Sequence, residues 1–231
     1  MTISQLVRFK LLSTLPRRQL RRLRALAVTR EFAPGQLIFS KCEAARHIFF
    51  VVSGQVRIYC QSAARKRKTY AYLGPGSIFG EMGVLLDSPR TASAQAVGKA
   101  RIMVVRAKDF KNYLLSDSQA SLKLLKTMAE RLRHADEEIE GLLFRNILGR
   151  VSKAVHDLGC HYGTPHQRGL LLSQHYTHQE LADLVGTTRE PLSRALATLR
   201  RAGLIDVDGG RLFIPNRKKL ESLIRASAGV H

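Results

Sequence analysis

The stretch THQELADLVGTTREPLSRALATLRRAGLI, Thr177–Ile205, decides how the C-terminal part of the chain is read. Thr177-His178-Gln179-Glu180 has the spacing of a capping box and opens an apolar helical run, Leu181 to Val185. Gly186 interrupts that run, because glycine tolerates the positive φ of a tight turn. Thr188 has the chemistry of a second N-cap, and Pro191 falls in a first turn, where a missing N–H does little harm. Leu192, Ala195, Leu196, Leu199 and Ala202 then recur at helical spacing. Helix, glycine turn and second helix predict a helix-turn-helix. Ile205 to Ile214 follows as two short strands joined at Asp208-Gly209-Gly210, a hairpin signal that would supply a wing.

The second helix opens with Arg189, Glu190, Ser193 and Arg194 on its polar face. Glu190 and Arg194 are four apart and share a face. The N-terminal residues of a recognition helix are those that enter the major groove. Arginine pairs with guanine O6 and N7, and glutamate accepts from cytosine N4. A glutamate carried toward phosphates is unfavourable, so its presence argues for base reading over adhesion to the backbone.

Upstream, Asn146 to Leu158 reads as a helix, Gly159 to Gly169 as a loop and Leu170 to Leu172 as a brief strand; the tail from Asn216 to His231 reads as a terminal helix. Ser118 to Leu143 is a long helical segment. Leu125, Leu132 and Ile139 are seven apart, and Met128, Ala135 and Leu142 repeat the interval three residues on. Charged flanks and this a/d seam predict a parallel two-stranded dimer helix. From Glu31 to Val105 the texture is β: Gln36–Phe39, Ile48–Val52, Val56–Tyr59, Thr69–Leu73, Ala92–Ala96 and Arg101–Val105, punctuated by Pro34-Gly35, Ser53-Gly54 and Gly74-Pro75-Gly76. Many short strands argue for an antiparallel barrel or double-sheet roll. Leu15 to Val28 is an amphipathic helix rich in arginine, Lys108 to Leu115 a short helix, and Arg65 to Lys68 tips a hairpin, as a solvated turn before a contact to DNA flanks or polymerase. The expected fold class is α+β: a β-roll over 1–116, a dimerisation helix over 117–144 and a winged helix-turn-helix over 145–231.

The 231 residues carry a net charge of +20, from 38 Lys+Arg against 18 Asp+Glu, which favours a polyanionic partner. No apolar run approaches membrane-spanning length and no signal peptide is recognisable, so a cytoplasmic protein without a membrane partner is expected. Cys42, Cys60 and Cys160 lack the close spacing of metal or iron–sulfur ligands. His134, His156, His161, His166, His175 and His178 read as surface or loop histidines, so no metal or haem site is expected. A cupin-type enzyme needs clustered ligands on the roll, where only His47 stands.

Gly80-Glu81-Met82-Gly83-Val84-Leu85-Leu86, followed by Pro89-Arg90-Thr91-Ala92, leads from a turn into a short helix. Free N–H groups at such a start can cradle an anion, Arg90 offers a fork for phosphate, and Glu81 can accept from a ribose hydroxyl.

The T-R-E-x-x-S-R core at Thr188–Arg194 and the segment Gly80–Thr91 resemble the CRP/FNR family of bacterial transcription regulators, from about Leu15 to Asn216. The resemblance implies that Arg189, Glu190 and Arg194 read bases, with Thr177, His178, Thr188 and Ser193 beside them, in a TGTGA-like or TTGA-like palindrome bound by a homodimer. It implies that Gly80, Glu81, Met82, Arg90 and Thr91 hold the ribose and cyclic phosphate, with Arg131 near the same pocket and RNA polymerase as a partner. The cAMP-binding members place a Thr-Ser pair against the base. Ala135 and Asp136 stand there in this chain. The expected effector is a cyclic nucleotide, cAMP before cyclic di-GMP, with a ligand-free regulator as the remaining alternative; no tightly bound cofactor is expected.

Overall fold

The computed structural model describes residues 2–64, 66–113, 117–166 and 169–227, with only the backbone of Ser4 and Tyr113. The expected boundary at residue 116, the end of the short helix at Leu115, the first residue of the Arg65 hairpin tip and the end of the tail at His231 lie outside them. The chain forms two compact units, residues 1–60 with 70–132 and residues 61–69 with 133–231.

The first unit begins with α1 (Ile3–Leu6) and α2 (Arg17–Leu26). Pro16 sets the start of α2, later than Leu15, and Val28 already belongs to the next strand. The strands follow as β1 (Val28–Phe32), β2 (Leu37–Phe39), β3 (His47–Ser53), β4 (Val56–Gln61), β5 (Arg67–Leu73) and β6 (Ile78–Phe79). A short helix α3 (Glu81–Leu85) precedes β7 (Ser93–Ala96), β8 (Ala100–Arg106), α4 (Ala107–Tyr113) and the long α5 (Ser118–Phe144). The strands make two four-stranded sheets, ordered β1-β8-β3-β6 and β2-β7-β4-β5. The antiparallel roll is therefore as expected, with β1 and β6 added to the strands readable from sequence.

Strand β3 shows why the roll sits between two cores. Side chains alternate across a strand, so Phe49 and Val51 enter the cluster formed with Phe39, Phe79, Ile102 and Val104. Ile48 and Phe50 point the other way, into a cluster with Leu20, Leu23, Phe110 and Leu124 from the flanking helices and Phe9 from the segment between α1 and α2. Strand β8 repeats the division, Ile102 and Val104 against Met103 and Val105. A strand buried on both faces reads as an unbroken apolar run, as Ile48–Val52 does.

The second unit holds α6 (Ile147–Tyr162), β9 (Gly163–His166), β10 (Gly169–Leu172), α7 (His178–Val185), α8 (Arg189–Arg201), β11 (Asp206–Asp208), β12 (Arg211–Ile214) and α9 (Arg217–Ser227). Its sheet runs β11-β12-β10-β9. The expected loop from Gly159 is corrected: α6 continues through Gly159 to Tyr162 and β9 follows at once. Gly159 is not a breaker but a point of close approach, where a Cβ would lie 2.5 Å from Ile214 Cδ1. None of the helices is long and apolar enough to cross a membrane among the described residues.

Candidate functional site

The helix-turn-helix is built as its sequence dictates. Thr177 Oγ1 accepts from Glu180 N at 3.2 Å, and Glu180 Oε2 accepts from Thr177 N at 2.9 Å, closing the capping box of α7. Gly186 ends α7 at φ +75°, and the Gly186 and Thr187 N–H groups both donate to Ala182 O. Thr188 adopts the extended N-cap backbone of α8, but its side chain makes no cap hydrogen bond, which corrects that part of its expected role. Leu192, Ala195, Leu196 and Leu199 bury one side of α8. Arg189, Glu190 and Arg194 are exposed on the other, with Glu190 accepting from Arg194 Nη1 at 2.6 Å.

Ser193 is half-buried and donates to Arg189 O at 2.8 Å. With that proton committed, the 2.7 Å contact to His178 Nδ1 requires the ring nitrogen to donate. His178 thereby ties the start of α7 to α8. The wing turns at Gly209 and Gly210, φ +53° and +77°, the left-handed pair that a two-residue hairpin needs.

In the first unit, Gly80 turns at φ +76° and delivers Glu81 into the interior, 1% exposed. Glu81 Oε1 pairs with Arg131 Nη1, and Arg131 Nη2 donates to Ile78 O at 2.5 Å. Arg90 is buried as well. Its fork does not face outward as expected: Nη1 donates to Gly80 O at 2.5 Å and Nη2 to His47 O at 2.7 Å. The Phe39 and Phe49 rings explain the turn inward, since the guanidinium lies 4.3 and 5.3 Å from their centroids. Burial pulls the Arg90 pKa down, with Glu43 and Glu81 opposing. Glu81 Oε2 and Arg90 Nε are buried with no hydrogen-bond partner among the described residues. Met82 and Thr91 are exposed, and so are Ala135 and Asp136, which belong to the second unit.

Sequence reading missed Phe39, Phe49 and His47 as neighbours of this segment; the signals were the short β2 run for Phe39 and the apolar run of β3 for the other two. It also misplaced two other groups. Lys68 is not a solvated turn residue: it donates to Leu184 O at 2.6 Å and pairs with Glu138. His156 is not a surface histidine: its side chain is 17% exposed and contacts Glu221 at 3.0 Å and Asp157 at 3.3 Å. No group of three or more His, Cys, Asp or Glu residues that could hold a metal occurs among the described residues.

Residues 29–117 match the cyclic nucleotide-binding domain and residues 149–223 the Crp-like helix-turn-helix domain. The cyclic AMP receptor protein of Thermus thermophilus is 31% identical over 194 residues, 84% of this chain and 87% of that one. The chain belongs to the CRP/FNR family. As a CRP/FNR protein it is a transcription regulator and not an enzyme. The CRP-like cAMP-activated global transcriptional regulator of Mycobacterium tuberculosis is 27% identical over 82% of this chain and 85% of that one. Among solved structures, FixK2 of Bradyrhizobium japonicum is similar at TM-score 0.76 and 25% identity, over 85% of this chain and 96% of that one. The c-di-GMP responsive regulator CLP of Xanthomonas campestris shares the fold at TM-score 0.73 and 22% identity, over 87% of this chain and all of that one.

Proposed function

We propose that this CRP/FNR regulator acts as a homodimer on a palindromic DNA site and that a cyclic nucleotide, cAMP first, gates its binding. The observation that carries the gating is the pair of buried atoms Glu81 Oε2 and Arg90 Nε, which have no hydrogen-bond partner among the described residues. Unsatisfied charged groups in an interior are unfavourable. A ribose hydroxyl supplies the donor Glu81 lacks, and a cyclic phosphate supplies the acceptor Arg90 lacks. The cassette also touches α5 directly, because Arg131 lies on that helix and binds both Glu81 and Ile78 O. A ligand that rewrites the partners of Glu81 therefore acts on the helix that carries the dimer seam, and shifts the equilibrium by its differential affinity for two arrangements.

The dimer rests on that seam. Leu125, Leu132 and Ile139 are 65%, 64% and 57% exposed, and Leu142 and Ala135 are exposed with them. Met128 departs from the seam, since it packs partly against the helix-side core of the roll. Burying a leucine is worth about 1.5–3 kcal/mol, and a second copy of α5 offers the matching stripe. A two-fold dimer demands a two-fold site, with half-sites one helical turn, about 10 base pairs, apart.

Arg189, Glu190 and Arg194 read the bases, with Ser193 and His178 bracing the helix, and Thr177 and Thr188 standing at the two helix starts. The relatives named for cAMP support that ligand. Ala135 cannot hydrogen-bond a base, so cyclic di-GMP, to which CLP is described as responsive, is the second ligand to test.

The experiment is binding to a TGTGA-type palindrome by fluorescence anisotropy, without ligand, with cAMP and with cyclic di-GMP. Tightening by cAMP is expected; equal affinity in all three conditions rejects the gating. In the same assay Arg189→Ala should reduce discrimination at one base pair of each half-site by about 1–3 kcal/mol. A uniform loss on every sequence would make Arg189 a phosphate contact instead.

A further inference from the structure

Helix α2 presents Arg17, Arg18, Arg21, Arg22 and Arg24. All five are exposed, and none forms an ion pair among the described residues. At 3.6 residues per turn they fall within an arc of about 160°. Leu20 and Leu23 lie outside that arc, buried against Phe9, Phe50 and Phe110. The helix precedes both matched domains, and nothing in the effector or reading sites uses it.

Local electrostatics oppose this arrangement in three ways. Arg17 and Arg18 occupy the first turn, at the positive end of the helix dipole, where acidic residues are favoured. Arg17–Arg21 and Arg18–Arg22 are like-charge pairs at i,i+4, which are destabilising. No aspartate or glutamate occurs before Glu31 to offset them. An array of phosphates along this face would relieve all three. The residues are uniformly arginine, whose planar fork matches phosphate geometry better than an ammonium does.

The chemistry of the face selects among polyanions. A membrane-surface helix buries an apolar side in the lipid, but Leu20 and Leu23 are already committed to the core. A protein interface draws its energy from a central apolar or aromatic anchor, and no such residue stands among these arginines. Duplex DNA needs neither, because neutralising phosphates releases counterions. DNA is also already held by the same chain through α8, so a second contact acts at high effective concentration.

We propose that the α2 arginine face is a second DNA contact, which binds the phosphate backbone of the duplex flanking the palindrome without reading sequence. The inference rests on the DNA-binding reading of α8, and the test separates the two. Affinity is measured against salt, with and without cAMP, on three duplexes. One ends at the outer edges of the palindrome, one extends about two helical turns beyond each side, and one has the longer length without a palindrome. The full chain is compared with a variant carrying Arg17→Gln, Arg18→Gln, Arg21→Gln, Arg22→Gln and Arg24→Gln, and with the matching five-lysine variant.

On the short duplex all three proteins should bind alike. On both long duplexes the glutamine variant should lose roughly 10-fold or more in affinity. Its slope of log K against log salt should fall by about 2–3, at roughly 0.9 for each phosphate no longer neutralised. The lysine variant should retain most of the slope. The melting temperature of the glutamine variant should equal or exceed that of the parent, because like charges have been removed. Equal slopes for parent and glutamine variant on both long duplexes overturn the proposal, as does a melting temperature that falls enough to explain the affinity loss. Failure of the parent to prefer the short palindrome over non-specific DNA rejects the α8 reading instead, and the slope comparison on the non-palindromic duplex still decides the role of α2.

Discussion

At the scale of single residues, the decisive group is Glu81. Its carboxylate is almost fully enclosed, and one oxygen is held by Arg131 while the other has no partner among the described residues. A surface ion pair of the same geometry would contribute little. Here the outcome of removing one partner is asymmetric, because a buried charge left alone is far more costly than a pair that was never present. Arg131→Leu should therefore destabilise the first unit by about 3 kcal/mol, toward the low end for a buried pair because Arg131 itself keeps solvent access. Urea denaturation followed by tyrosine fluorescence measures this. Adding Glu81→Gln to Arg131→Leu should recover part of the loss, since a neutral amide replaces the stranded charge. If the double variant is no more stable than the single one, the destabilisation comes from weakened α5 packing and not from Glu81. Arg90 makes a related point: its neighbours Phe39 and Phe49 come from β2 and β3, far away in sequence, so nothing local could show that its fork would close on two carbonyls.

At the scale of elements, the proposed roles of α5 and α8 rest on their exposed faces. Ile139→Glu places a charge in the exposed seam of α5, where a second helix is proposed to pack. Sedimentation velocity should report a monomer for this variant, with far-UV circular dichroism unchanged, and affinity for the palindrome should fall by about 100-fold or more as bivalent engagement is lost. A variant that sediments with the parent would place the dimer contact elsewhere. These two helices were legible in the sequence because their signals are periodic and local: heptads at Leu125, Leu132 and Ile139, and capping and glycine chemistry from Thr177 to Thr188. Strand β1 was not legible. Its residues, Val28–Phe32, are exposed in a nearly unbroken row, so no alternation marks them, and their strand state depends on pairing with β8. Strand β6 has only two residues, too few for any period. Gly159 misled because a glycine that admits Ile214 looks, in one dimension, like a glycine that ends a helix. The contacts of the Gly80–Thr91 segment were not legible, because they depend on side chains converging from β2, β3 and α5.

At the scale of the whole molecule, a net charge of +20 weighs on every protonation step. Such an excess opposes the compact state through self-repulsion, and it acts most on titrating groups that are already surrounded by cations. His47 is such a group. Burial lowers its pKa below 6.5, and Arg30, Arg90, Arg106 and Arg46 lower it further. Those arginines come from β1, the Gly80–Thr91 segment, the end of β8 and the residue beside His47, so the field has several sources. The sign follows from linkage: between the depressed folded value and the unfolded value near 6.5, the unfolded chain holds the proton and the folded chain does not. Stability from this group is thus complete above about pH 6.5 and is lost as the pH falls toward the folded pKa. The melting temperature should drop between about pH 7 and pH 5, and His47→Gln should flatten that drop. Salt separates the two causes. About 1 M salt shortens the screening length to roughly 3 Å, which largely removes the contribution of exposed Arg30, Arg46 and Arg106 and leaves burial and most of that of buried Arg90. The pH dependence should therefore shrink in high salt without vanishing. If it vanishes, the exposed arginines alone set the His47 pKa; if salt leaves it unchanged, burial and Arg90 do.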